Sequence, residues 1–139
     1  MRASLLLAFA LLLAACDSNT PADPEGPNGF FQATTYIIPG PTDFPEDVLA
    51  RGGYVHMFFD ADERVVHGTV SGSASREHEH IEGHYIFQDD SVRLSFVRGW
   101  LPKEMDWDAE TQTLSGFFRA RGTIELVLER VSDLEPPTP

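Results

Sequence analysis

Ile124-Glu125-Leu126-Val127-Leu128-Glu129 is the stretch that decides the fold. Ile124, Leu126 and Leu128 recur at every second position, with Glu125 between them and Glu129 after them. A period of two sends alternate side chains to opposite faces of an extended chain, so this segment reads as a β-strand with one buried and one mostly wet face. The same alternation runs through Val92-Arg93-Leu94-Ser95-Phe96. It returns where Leu114, Gly116, Phe118 and Ala120 alternate with Thr113, Ser115 and Arg119. It predicts that Leu94, Phe96, Leu114, Phe118, Leu126 and Leu128 are buried and that Arg93, Glu125 and Glu129 are exposed.

Working outward, further apolar or β-branched runs span Phe30 to Ile38, Tyr54 to Phe59, Val65 to Ser71, Ile81 to Phe87 and Glu104 to Trp107. Turn-forming residues separate them, among them Gly40-Pro41, Gly52-Gly53, Asp60-Ala61-Asp62-Glu63, Gln88-Asp89-Asp90-Ser91 and Asp108-Ala109-Glu110-Thr111. About eight short strands joined by tight turns make an all-β, antiparallel up-and-down meander. Only Pro45 to Arg51 carries helix signals, with Pro and acids at its start and Gly52 just past its end, so one short helix is expected near the start. Phe59-Asp60-Ala61-Asp62 and Trp107-Asp108-Ala109-Glu110 match in kind, which reads as the same turn built twice rather than as a repeat architecture.

With 139 residues the chain has room for one domain. Residues 29–131 are expected to form it. The stretch DSNTPADPEGPN before it has nothing apolar larger than Ala22, so residues 16–28 read as a disordered tether and residues 132–139, rich in proline, as a disordered tail. A formal charge of -12 repels nucleic acid and anionic surfaces. One cysteine excludes a disulfide-stapled scaffold and any Cys-rich zinc module.

The first sixteen residues have their own logic. Met1-Arg2 precedes an apolar stretch from Ala3 to Ala15, and Leu13-Ala14-Ala15-Cys16 leads directly into polar Asp17-Ser18-Asn19. That stretch is too short for the roughly 20 residues of a membrane-spanning helix. A positive start, an apolar middle and small residues at the exit describe a secretory signal peptide over residues 1–15. Leu13 to Cys16 resembles the lipobox of bacterial lipoproteins. The resemblance implies cleavage before Cys16, acylation of its thiol and a lipid-anchored address in the bacterial cell envelope, the membrane being the partner.

Asp47 to Gly53, Gly68-Thr69-Val70-Ser71-Gly72, Gly83-His84-Tyr85-Ile86-Phe87 with Ser91 to Phe96, Thr113-Leu114-Ser115-Gly116 and Gly122 to Leu128 together resemble small bacterial lipocalin-like lipoproteins. The resemblance covers Asp47 to Val131 and implies a closed or nearly closed up-and-down β-barrel, with no active-site motif. Closure suits a meander, because it removes the two bare edges of an open sheet. About eight short strands enclose an interior that is filled by side chains or holds one small apolar ligand, and strands this short favour a mostly filled barrel with at best a shallow pocket.

Histidines are the remaining chemical feature. His78, His80, Glu82 and His84 stand at every second position and would share one strand face, where imidazoles and a carboxylate are competent ligands for Zn or Cu. The spacing is not that of a zincin, and a solvated, charge-mixed loop or strand end at the barrel mouth is the preferred reading, with Gly83 interrupting the regularity. His56 and His67 read as ordinary strand residues. Nucleophile chemistry has no support: Gly-x-Ser-x-Gly is missing from the sequence, Ser71 to Ser75 reads as a loop, and Asp89-Asp90 sits in a turn. The expectation is a non-enzymatic lipoprotein whose barrel is a binding or interaction module, with no catalytic, cofactor or metal residue assigned. A histidine-based metal-binding or sensing lipoprotein is the alternative, and a hydrolase comes third.

Overall fold

Nine strands follow one another: β1 (Gly29–Pro39), β2 (Pro45–Asp47), β3 (Tyr54–Asp60), β4 (Val65–Ser71), β5 (His78–Gln88), β6 (Ser91–Leu94), β7 (Glu104–Asp108), β8 (Thr113–Arg119) and β9 (Thr123–Ser132). The computed structural model describes residues 26–40, 44–72, 78–96, 100–119 and 122–134. The expected signal peptide, Cys16 and most of the expected tether lie outside the described residues, as do residues 135–139 of the expected tail.

Every pairing is antiparallel, and the order β2-β1-β3-β4-β5-β6-β7-β8-β9 is closed by β1 against β9. Eight strands thus form a closed barrel, consistent with a lipocalin-like fold, and β2 is one extra strand outside it. The order of the meander follows the sequence, with tight turns joining β3 to β4, β5 to β6 and β7 to β8, and closure leaves neither β1 nor β9 with a bare edge along the barrel. Asp60 and Asp108 build those turns the same way. The Asp60 carboxylate accepts the N–H groups of Asp62 and Glu63 at 2.9 and 3.0 Å, and that of Asp108 accepts those of Glu110 and Thr111 at 2.9 and 3.2 Å. Each turn then ends on a residue with positive φ, Arg64 at 56° and Gln112 at 55°.

The expected helix is reduced to a single 3-10 turn at Leu49–Arg51, and Pro45–Asp47 is strand instead. Seven residues cannot offset the cost of helix nucleation. The second half of β1 meanwhile has a free edge, because β3 pairs only with Gly29 to Gln32, and Asp47, Glu46 and Pro45 pair with Ile37, Ile38 and Pro39 there. Val48 follows, fully buried, its N–H bonded to the Tyr36 carbonyl at 2.9 Å. Gly52 ends the turn at φ 80°, a left-handed conformation that suits glycine.

Inside the barrel Phe31, Met57, Phe59, Leu94, Met105, Leu114, Leu126 and Leu128 are all at most 1% exposed. Phe31 meets Phe59 and Trp107 edge to face at 5.3 and 5.9 Å, and Phe59 meets Tyr85 at 5.2 Å. Along the described strands the interior is therefore filled by side chains. The register of β1 against β9 shifts between Ala33 and Thr35, which moves the inward positions from Phe31 and Ala33 to Tyr36.

The alternation places Leu94, Leu114, Leu126 and Leu128 inside and Arg93 and Glu129 outside, as read. Phe118 is a correction: it is 52% exposed, not buried. It lies two residues beyond Gly116, where Pro102 and Met105 cover the strand, so it stands past the last packed layer. Glu125 is half-buried rather than exposed, because it sits between Ile37 of β1 and Phe117 of β8. Phe96 is half-buried over Gly83.

Candidate functional site

The barrel has two unlike ends. At the turn end, Gly26–Asn28 lies across the opening: the Tyr85 hydroxyl donates to the Pro27 carbonyl at 3.0 Å and Arg130 Nε to the Asn28 carbonyl at 2.7 Å. The Arg64 guanidinium covers the rings of Tyr85 and Phe87 at 5.7 and 5.8 Å. A surface cavity of about 280 Å³ beside this strap is lined by Asn28, Asp62, Trp107, Gln112 and Arg130. Its chief cation is already engaged, since Arg130 also bonds Gln112 Oε1 at 3.1 Å and pairs with Asp133. The polar groups here hold the chain's entry to the barrel.

A second groove, about 370 Å³, lies on the outer wall between Ile86, Gln88, Ser91, Arg93 and Glu104. Arg93 and Glu104 form an exposed ion pair across it at 3.2 Å. Such a pair contributes little to stability.

The histidines all stand on one outer wall. His78, His80, Glu82 and His84 share the outer face of β5, and all four are exposed. Gly83 does not interrupt β5, which runs unbroken from His78 to Gln88. Pairing brings the rest alongside: His56 of β3 stands opposite Thr69 of β4, which stands opposite His80, and His67 of β4 stands between Phe58 and Glu82. The five histidines of the chain therefore lie on one outer face of β3, β4 and β5. Tyr54 organises part of it, stacking on His56 at 4.7 Å, while its hydroxyl meets His78 Nδ1 at 2.7 Å. Phe30 packs edge-on against His56 at 5.4 Å, and Phe58 lies against His67 at 5.3 Å. Burial lowers the pKa of His56. Among the described residues no three histidine, cysteine or acidic side chains come together as a metal site, and His56, His67 and His78 lie against aromatic rings.

At the loop end, Val48, Leu101 and Tyr36 close the core at 0, 6 and 3% exposure. Burial, with the Glu79 carboxylate adding to it, pushes the Tyr36 hydroxyl up to about 12. Outside this plug stands a rim of aromatics from three parts of the chain. Phe44 precedes β2, Trp100 leads into the Leu101-Pro102 segment that covers Gly116, and Phe117 and Phe118 stand just before Arg119 at the end of β8. They are 76, 49, 60 and 52% exposed. Large apolar side chains gathered outside a core mark an interaction surface. Phe44 and Trp100 carry no periodic signal, and Phe118 reads from the sequence as core, so only the strand ends disclose the rim.

Comparison with protein-family models, curated proteins and solved structures finds no match.

Proposed function

We propose that this chain is a lipid-anchored bacterial cell-envelope lipoprotein whose barrel is a non-enzymatic binding module acting through its surface. One observation carries the binding reading: the interior is packed with side chains such as Phe31, Met57 and Leu126, whereas bulky apolar side chains are displayed outside at the loop end. A small apolar molecule would have to displace that core, so the rim is the better place for a ligand or partner. The anchoring reading is supported by Leu13-Ala14-Ala15-Cys16, which holds the only cysteine of the chain ten residues before Gly26. The non-enzymatic reading is supported by the use made of the turn carboxylates of Asp60 and Asp108, which bond their own backbone.

Labelled fatty acid supplied to expressing cells tests the anchor. The wild-type chain should take up label and partition with membranes, and Cys16→Ala should remain unlabelled. Equal labelling of the two would end the lipoprotein reading.

A further inference from the structure

We propose that the aromatic rim of Phe44, Trp100, Phe117 and Phe118 docks on the lipid bilayer that holds the chain, so that the barrel sits with its loop end down. The proposal rests on the lipoprotein reading for the presence of that bilayer. Three observations lead to it.

The rim is built like an interfacial contact. A tryptophan and three phenylalanines protrude from strand ends and loop segments at one end of the barrel, and the Arg119 guanidinium lies over the Phe117 ring at 5.8 Å. Aromatic rings settle at the boundary of headgroups and acyl chains, and a guanidinium beside them can meet a lipid phosphate.

The opposite end is less suited to a membrane, because there two exposed aliphatic side chains, Val131 and Leu134, stand among acidic turns and no aromatic belt is formed among the described residues. Its turns expose Asp62, Glu63, Asp89, Asp90, Asp108 and Glu110. Anionic headgroups repel such a surface, which favours the other end.

The chain outside the described barrel is long enough to permit this orientation. It enters at the turn end through Gly26, and the ten residues back to Cys16 can extend about 33 to 36 Å. A strand of 11 residues such as β1 is about 36 Å long and, tilted by about 40°, rises about 28 Å along the barrel axis. An acyl group on Cys16 can therefore reach a bilayer lying under the loop end.

Trp100 is a built-in reporter, because the second tryptophan, Trp107, is buried at 6% exposure. The full chain is mixed with zwitterionic phosphatidylethanolamine–phosphatidylcholine vesicles carrying brominated acyl chains, so that its negative charge does not oppose the contact. The emission of wild type minus that of Trp100→Phe isolates Trp100. Brominated lipid should quench this signal and aqueous iodide should not. Phe117→Ser combined with Phe118→Ser, both at exposed positions, should weaken the quenching while Trp107 emission stays unchanged, showing that the barrel is folded. Trp100 left open to iodide on vesicle-bound chain would overturn the proposal, as would a chain that fails to sediment with vesicles. Failure of the anchor reading is seen separately, as missing fatty-acid label on Cys16.

Discussion

The ring of Phe96 fills the space over Gly83 in which a side chain would otherwise stand. Gly83 lies in the middle of β5, where glycine weakens a strand by itself, yet the strand continues because the ring takes the place of the missing side chain. Ser95 adds to the clasp by accepting the His84 N–H at 2.9 Å through its hydroxyl. Gly83→Val should therefore drive the ring out and destabilise the barrel by about 1 to 3 kcal/mol, the usual range for overpacking. Urea unfolding measures it. A variant as stable as wild type would show that Phe96 does not pack there.

Leu126 and Phe118 carry opposite expectations although the alternation treats them alike. Leu126 is fully buried, so Leu126→Ala should destabilise by about 2 to 5 kcal/mol. Phe118→Ser should change stability by less than about 0.5 kcal/mol, as exposed substitutions do. Equal unfolding midpoints for the two variants would contradict the placement of Phe118 past the last core layer.

Alkali should loosen the barrel through Tyr36. Its pKa is raised from the ordinary 10.0 to about 12, chiefly by burial and further by Glu79. The folded state thus keeps a proton that the unfolded state loses, so the stabilisation is complete below about pH 10 and is lost as pH rises toward 12. Tyr36→Phe should reduce this alkaline loss, read as unfolding midpoint against pH. Tyr85, also raised by burial despite the opposing Arg64, should supply part of what remains.

Acid acts through Asp108, whose pKa is lowered by the Thr111 N–H, the Thr111 hydroxyl and the Glu110 N–H. Its contribution is present above the ordinary carboxylate range and fades as pH falls through the lowered value. Asp108→Asn should differ from wild type near neutrality, with the gap closing on acidification. A gap independent of pH would refute the assignment.

Zinc or copper titrated into the chain should bind no more tightly than to a histidine-rich peptide. The imidazoles on β3 to β5 are spread over an outer wall rather than gathered around a point, and His78 is engaged by Tyr54. Tight one-to-one binding abolished by His78→Gln with His80→Gln would instead establish a metal-binding protein.

The strands and turns were legible locally. Alternation at Leu114, Leu126 and Leu128 needs only the two-residue pleat, and the paired turns at Asp60 and Asp108 need only a carboxylate within reach of the next N–H groups. The class and the closed meander followed from those signals and from the penalty on bare strand edges. Tertiary structure alone decided what lies beside what. His56 and His67 join the β5 histidines through the register of two hairpins, and the shift in β1 turns Tyr36 inward through a one-residue irregularity that sequence periodicity does not mark. Phe118 keeps the inward parity of a core residue but stands beyond the layer formed by Pro102 and Met105, so its exposure depends on where the packed interior ends. Pattern sets the face a side chain takes, whereas its height along the barrel, and hence whether anything covers it, is set by neighbours distant in sequence.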